Sequence, residues 1–471
     1  MVSLLHEIVL SGAAEVPSDP VNLLEDIPFY RTADDGADGP SQYFSQEDVN
    51  FAADPVGYHL DAYRRHGQIY RVSFRNRVWV AIGGLEANDF AWRNADAWSY
   101  RKAMDGFGEE LGHDHVTTMD GPEHRLKRRS LKPGFRMDAV MRHLPEMSEE
   151  VAYQLRRYDG QELDLYDFLM ESIIRASGKT MVQTALSDEM VREMAAFEEK
   201  FMYGLNLGTA RHEFFARQHY MDTKSRVFEF LKELINERDA SDPPDDNLAA
   251  VIANRPEAAG EYSLEEKLYD TYLLLIAGAE NTTKLISWII QYLDADPEWT
   301  EELREELSDW QPDALRKGMA NFPKLKATIM EGERLQPGAF FHVRVTARDV
   351  DLLGYRVPAD TPVLHLQALC HYLEEIYEEP FAFRPRRWLE DQFPKKAHGI
   401  FGGGTHICLG MNVTRLHSPV ILGNLLKNFL VDLQFDPDFR YRLDLGGAFH
   451  RIPLPAVFKG AATVGTAPVK M

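Results

Sequence analysis

Residues 400–410 read IFGGGTHICLG, which puts four glycines, a histidine and one of the chain's two cysteines into eleven positions. Thiolate is the form of cysteine that attacks and that binds metals, and a helix N-terminus favours it. The apolar pattern after Gly410 predicts such a helix start just past Cys408. Glycines at 402, 403, 404 and 410 let the backbone approach something flat or take positive φ. The plain alternative is a buried free thiol, the usual fate of a lone cysteine. A phosphate-binding loop would carry Lys-Ser/Thr or G-x-G-x-x-G, and neither stands here. A zinc site would want more cysteines or paired histidines at short spacing. One thiolate in a glycine-rich loop suits haem, whose macrocycle supplies the equatorial ligands.

Three other stretches carry candidate chemistry. EGER sets Glu331 and Arg334 three apart on one helix face, an ion pair worth about 0.2–0.5 kcal/mol if it merely lies on the surface. In DGPEHRLKRRSLKPGF, residues 120–135, His124 and Arg128 are four apart and share a face. Arg125, Arg129 and Lys132 fall on another face, which by itself reads equally well as solvated surface. In AGAENTTK, residues 277–284, Gly278 sits mid-helix at a cost of about 1 kcal/mol relative to alanine. Either a flat group comes close there or two helices pack.

Together these stretches resemble the haem-thiolate monooxygenases, the cytochrome P-450 superfamily, in its soluble bacterial form. Phe401, Gly404, Cys408 and Gly410 match the F-x-x-G-x-x-x-C-x-G signature, and Gly402 and His406 match its fuller form. EGER and FRPRRWL resemble the family's E-x-x-R and P-x-R-aromatic segments, in the family's order before the cysteine loop. The resemblance implies that Cys408 is the metal ligand, to the iron of haem b. It implies that His124, Arg128, Arg344 and His406 hold propionates, where a guanidinium can grip a carboxylate bidentately. Glu331, Arg334 and Arg387 would form a structural network.

Ala277 and Gly278 would border the haem in the oxygen-binding segment, and Glu280 falls on the acid that relays protons. The family's usual threonine is replaced by Asn281, with threonines following at 282 and 283. A one-residue shift turns a helical side chain by about 100°. Thr282 therefore takes over only if the helix is distorted, and Asn281, both donor and acceptor, is expected to position water or substrate. Phe340, Phe341 and Phe449 fall at pocket-lining positions as an aromatic wall, although each reads equally well as core.

The elements that must position these groups are mostly helices. Ser263 and Glu266 have capping-box spacing, and the pattern runs on without a breaker to Asp294, predicting one helix of roughly 30 residues and about 45 Å. Another covers 324–335 and stops at QPG. QIYRVSF, RVWVAIG and VTARDVDLLGYRVPADTPV alternate as strands. Pro419 should kink or delay the helix after the cysteine. The expected fold is mainly α with a small β-rich portion, the haem lying between the long helix and the cysteine loop. Residues 1–50 read as an irregular lead-in, and 51–471 as one haem-thiolate domain.

A net charge of −22 argues against nucleic-acid binding. The N-terminus lacks the basic region of a signal peptide, and no apolar run reaches the roughly 18–20 residues of a membrane anchor. Two cysteines are no disulfide framework, so a reducing, cytoplasmic setting is expected. The resemblance implies insertion of one atom of dioxygen into a small apolar organic substrate, terpenoid, steroid or fatty-acid-like. Electrons would pass from NAD(P)H through a separate reductase and a ferredoxin, the latter docking near Arg125, Arg129 and Lys132. A haem-thiolate protein without monooxygenase turnover is the alternative: a gas or redox sensor, or an isomerase or peroxygenase that needs no redox partner.

Overall fold

Capping side chains mark where several helices begin. Asp54 accepts from the Gly57 N–H, Asp164 from those of Tyr166 and Asp167, and Asp296 from that of Trp299. Ser263 and Glu266 close the reciprocal capping box read from their spacing. The computed structural model describes residues 24–30, 50–51, 53–74, 77–205, 211–239, 263–390, 392–433 and 454–460.

The helices of nine or more residues are α1 (Pro55–His66), α2 (Leu85–Arg93), α3 (Gly121–Leu131), α4 (Leu144–Arg157), α5 (Leu165–Met181) and α6 (Asp188–Leu205). They continue with α7 (Gln218–Asp239), α8 (Leu264–Ile276), α9 (Ala279–Ala295), α10 (Pro297–Glu306), α11 (Pro323–Leu335) and α12 (Met411–Asn428). The strands are β1 (Ile69–Phe74), β2 (Arg77–Gly83), β3 (Glu162–Asp164), β4 (His342–Val345), β5 (Val350–Leu352), β6 (Tyr355–Val357), β7 (Pro362–Leu366), β8 (Phe429–Leu433) and β9 (Pro455–Gly460). The main sheet has the order β1-β2-β7-β4, parallel only between β2 and β7.

The large core is helical. Ile173 and Ile174 of α5, Phe197 and Phe201 of α6, Ile286 and Ile289 of α9 and Leu422 and Leu425 of α12 are all buried in it. A second core lies over the sheet, around Tyr58, Tyr70, Leu364 and Tyr372. Ile27 and Tyr30 of the lead-in are themselves buried, and Tyr30 donates to Asp61. This part of the lead-in is therefore pinned into the body.

Two expectations change. The long helix is two helices: the ladder last runs from the Ala277 N–H to the Leu273 carbonyl and resumes from Thr282 to Gly278. Ala277 and Gly278 form a turn between α8 and α9, and Asn281 and Thr282 both lie beyond it in the regular helix α9. The pair Leu264–Ala295 is long and apolar enough to cross a membrane, but 61% of its most apolar window is buried in the molecule. Pro419 neither ends nor delays α12, which continues through it to Asn428. Close packing on both sides keeps the helix going, since Ser418 through Leu426 are all buried.

Candidate functional site

The cysteine loop owes its shape to its glycines. Gly402 and Gly404 have φ of +70° and +67°, where a Cβ is strained. An added Cβ on Gly404 would lie 2.2 Å from the carbonyl oxygen of Trp92, and one on Gly403 2.5 Å from the Trp92 indole. These two positions therefore make room for α2. Gly410 has nothing within 4 Å of an added Cβ and so leaves space beside the thiol. The Cys408 N–H donates to the Phe401 carbonyl at 2.8 Å and closes the loop, while Arg415 sits over the Phe401 ring at 5.3 Å.

Cys408 is a free cysteine with exposed surface. Burial raises its thiol, while the N–H groups of Gly410 and Met411 and the Arg128 guanidinium pull the other way. All three would stabilise a thiolate held by a metal. Arg128 donates to the Ile407 carbonyl at 2.6 Å, which ties α3 to the loop.

Around that link lies a set of basic groups. His124 stacks on His406 with ring centroids 3.7 Å apart, and His406 stacks on Tyr100 at 3.4 Å. Arg344 covers the Tyr100 ring at 4.5 Å. Burial, then neighbouring basic groups, depress His406 to about 2; burial and Arg128 depress His124 to about 4. His124 Nε2 and Arg344 Nε are buried with no hydrogen-bond partner among the described residues. Unpaired donors of this kind are costly unless an acceptor meets them. Two histidines and two arginines converging on one spot suit the two carboxylates of a haem, so the residues present fit that group. A cavity of about 360 Å³ opens beside His124 and His406, bordered by Trp98, Ser99, Lys102 and Asp120.

Sequence reasoning missed three members of this surrounding. Tyr100 is placed by Asp120, which accepts from the Tyr100 N–H at 2.7 Å, a link across twenty residues that leaves no periodic signal. His342 lies two residues before Arg344 in β4 and so on the same side; burial and Arg344 depress it to about 3. Period-2 alternation would have found it. Trp92, under the glycines, had no signal at all.

Glu331 accepts from Arg334 at 2.8 and 2.9 Å, from Arg387 at 3.2 Å and from the Trp388 indole at 2.8 Å. Arg334 also donates to the carbonyls of His371, Pro380 and Ala382. Neither side chain of the central pair is exposed to solvent, so this is a buried network and not the surface pair that spacing alone allowed.

In the helix pair, Ala277, Gly278 and Asn281 are exposed within an otherwise buried run, whereas Thr282 and Thr283 are buried. Nothing lies within 4 Å of an added Cβ on Gly278. Asn281 Oδ1 lies 3.0 Å from where a Cβ on Gly338 would stand, so it reaches the segment leading into β4. Glu280 pairs with Lys284 at 2.5 Å. Arg125, Arg129 and Lys132 are exposed, whereas His124 is buried.

The three phenylalanines expected as an aromatic wall stand in different surroundings. Phe340 is 6% exposed and packs into the sheet-side core against Tyr372 and His59, because that core offers an apolar seat at the end of α11. Phe341 is half-buried beside Phe51. Phe449 lies outside the described residues.

Comparison with known proteins agrees with this geometry. The family model described as Cytochrome P450 matches residues 49–458. Pentalenene oxygenase of Streptomyces avermitilis is 28% identical over 349 residues, 70% of this chain and 77% of that protein. Cyclooctat-9-en-7-ol 5-monooxygenase of Streptomyces melanosporofaciens is 25% identical over 68% of this chain and 73% of its own. Among solved structures, the retinoic acid bound cyanobacterial CYP120A1 superposes with a TM-score of 0.75 at 21% identity, covering 88% of this chain and 96% of that one. The family match over residues 49–458, which takes in the cysteine loop and the buried Glu-Arg network, makes this chain a member of the cytochrome P450 monooxygenases.

Proposed function

We propose that the chain hydroxylates a terpenoid-like substrate, with electrons passed from NAD(P)H through a separate reductase and a ferredoxin. The observation that carries the reading is Asn281, a lone exposed amide on the apolar α8–α9 run, set against Gly338 at the foot of β4. Such a site grips an apolar skeleton by its shape and orients it through one polar contact. Two relatives are named for pentalenene and for cyclooctat-9-en-7-ol, which supports a terpenoid before a steroid or a fatty acid.

Haem b would be held by Cys408 and gripped at its propionates by His124, Arg128, Arg344 and His406, and would supply the dioxygen chemistry, thiolate ligation favouring O–O cleavage. This chain's own residues do the rest. Ala277 and Gly278 allow close approach at the helix break. Glu280 relays protons toward the oxygen site, and Asn281 positions water or substrate in place of the usual threonine. Arg125, Arg129 and Lys132 offer an acidic ferredoxin a basic stripe on a chain of net charge −22. Residues 51–471 form one domain in this reading, and the unpaired Cys370 and Cys408 support work in a reducing cytoplasm.

The test is spectroscopic. Reduced holoprotein with carbon monoxide is expected to give the thiolate-haem band, and pentalenene to shift the haem spin state more strongly than cholesterol or palmitate. A missing band overturns the enzyme reading, and a stronger response to either competitor overturns the substrate class. Asn281→Ala is expected to lower product formed per NADPH consumed at least about threefold, the loss of one hydrogen bond in the site, while Asn281→Thr retains more of it. Unchanged coupling in both variants removes Asn281 from the mechanism.

A further inference from the structure

Lys127 of α3 is buried. Its ammonium stands 3.0 Å from the Asp270 carboxylate of α8, and the two side chains are only 5% and 1% exposed. Glu266, in the first turn of α8, stands 3.9 Å from the same ammonium. Lys127 also donates to the Asp114 carbonyl at 2.6 Å, which holds the segment leading into α3. Its neighbours on α3 reach a different element: Arg128 donates to the Ile407 carbonyl at 2.6 Å, and His124 stacks on His406 at 3.7 Å. One helix is thus tied to α8 through Lys127 and to the cysteine loop through His124 and Arg128. The haem would lie between those two elements.

A buried ion pair is a poor source of stability. Taking two charges out of water can cost more than their attraction returns, and apolar side chains of similar volume often do as well or better. What such a pair provides is position, because apolar side chains are satisfied by many arrangements and an ammonium and a carboxylate at 3.0 Å are not. We propose that Lys127 and Asp270 are a positioning pair for the haem: they fix α3 against α8 and so hold His124 and Arg128 where the propionates would meet them. This rests on the haem-thiolate reading above. Neither member of the pair touches the haem. Lys127 acts through the residues three before and one after it on the same helix, and the atom whose placement it controls is the buried His124 Nε2, which has no hydrogen-bond partner among the described residues.

The groups around the pair are committed elsewhere. Glu266 closes the capping box with Ser263, and the Asp114 carboxylate meets Arg101 at 3.3 Å. His115, buried within reach of the Lys127 charge, is pushed down to about 3 by burial and then by that charge, so it is neutral at physiological pH and adds no second cation. Asp270 lies about two turns before the Ala277–Gly278 break. The pair therefore anchors the half of the central helix that leads into the oxygen-binding turn.

The test follows haem in the loaded protein, without turnover. Transfer of haem to excess apomyoglobin is expected to be at least about tenfold faster from Asp270→Asn than from the wild type, the worth of one charge-assisted hydrogen bond to a propionate. Lys127→Met combined with Asp270→Leu, which replaces the pair by apolar side chains, is expected to lose haem as fast. The core amides of α5 and α12 in that double variant should exchange hydrogen at the wild-type rate, because global stability is kept, with faster exchange confined to α3 and α8. Lys127→Arg, which keeps the charge and the reach, is expected to hold haem like the wild type. Wild-type haem transfer from the double variant overturns the proposal. So does a double variant whose core amides exchange faster by the same factor as its haem is lost, since the pair would then only stabilise the fold. Haem loss from Lys127→Arg as fast as from the double variant overturns it too. In each of these cases a thiolate-haem carbon monoxide band from the wild type leaves the reading above standing. Absence of that band overturns both together.

Discussion

Cys408→Ser is expected to remove the thiolate-haem carbon monoxide band and to reduce product formation to the level without enzyme. A serine hydroxyl stays protonated where a thiol can ionise, so the ligand is lost although the side chain changes little in size. The fold should survive. The shape of the loop is set by Gly402 and Gly404, by the Trp92 contact and by the bond from the Cys408 N–H to the Phe401 carbonyl, none of which needs sulfur. Unchanged far-ultraviolet circular dichroism and thermal midpoint of the haem-free protein, beside a lost band, would separate ligand loss from misfolding. Retention of the band in Cys408→Ser would refute the assignment of the iron ligand.

Arg334→Lys is the second large effect, and it acts on stability. The Arg334 guanidinium places its five N–H donors on Glu331 twice and on the carbonyls of His371, Pro380 and Ala382. Lysine has three donors on a flexible stem and cannot reproduce that fork. At least two buried acceptors would lose their partner, and the Glu331 carboxylate would be left under-compensated at zero exposure. Breaking a buried pair in this way costs about 3–5 kcal/mol, against a total stability of about 5–15 kcal/mol for a folded protein. The expected outcome is a markedly lower denaturation midpoint and a small yield of haem-loaded protein. A midpoint equal to the wild type would show that the network can be rearranged at no cost.

How far the chain could be read in advance differed from element to element. The capping box at Ser263 and Glu266, the strands at 69–74 and 77–83 and the helix at 323–335 depend on neighbours within a few residues, and local spacing records these. The break at Ala277–Gly278 escaped, because a mid-helix glycine is compatible with a continuous ladder and only the packing of the two halves decides. Pro419 failed the other way: local chemistry argued for a disturbed helix, and burial on both sides kept it intact. Phe340 could not be assigned to wall or core from its type, since both are apolar.

By itself the sequence determined which residues could do chemistry: one thiol in a glycine-rich loop, matched to a family signature, with His124 and Arg128 at helical spacing and Glu331 and Arg334 on one face. These are one-dimensional facts, carried by residue type and separation along the chain. Only the tertiary structure decided that the Glu-Arg pair is buried and joined by Arg387 and Trp388, that Tyr100 and His342 stand among the basic groups, and that Trp92 explains two of the glycines. It also brought Glu198 to Tyr272 across 74 residues. Contacts of that range leave no periodic trace, because they depend on how separate helices cross and not on the spacing within either one.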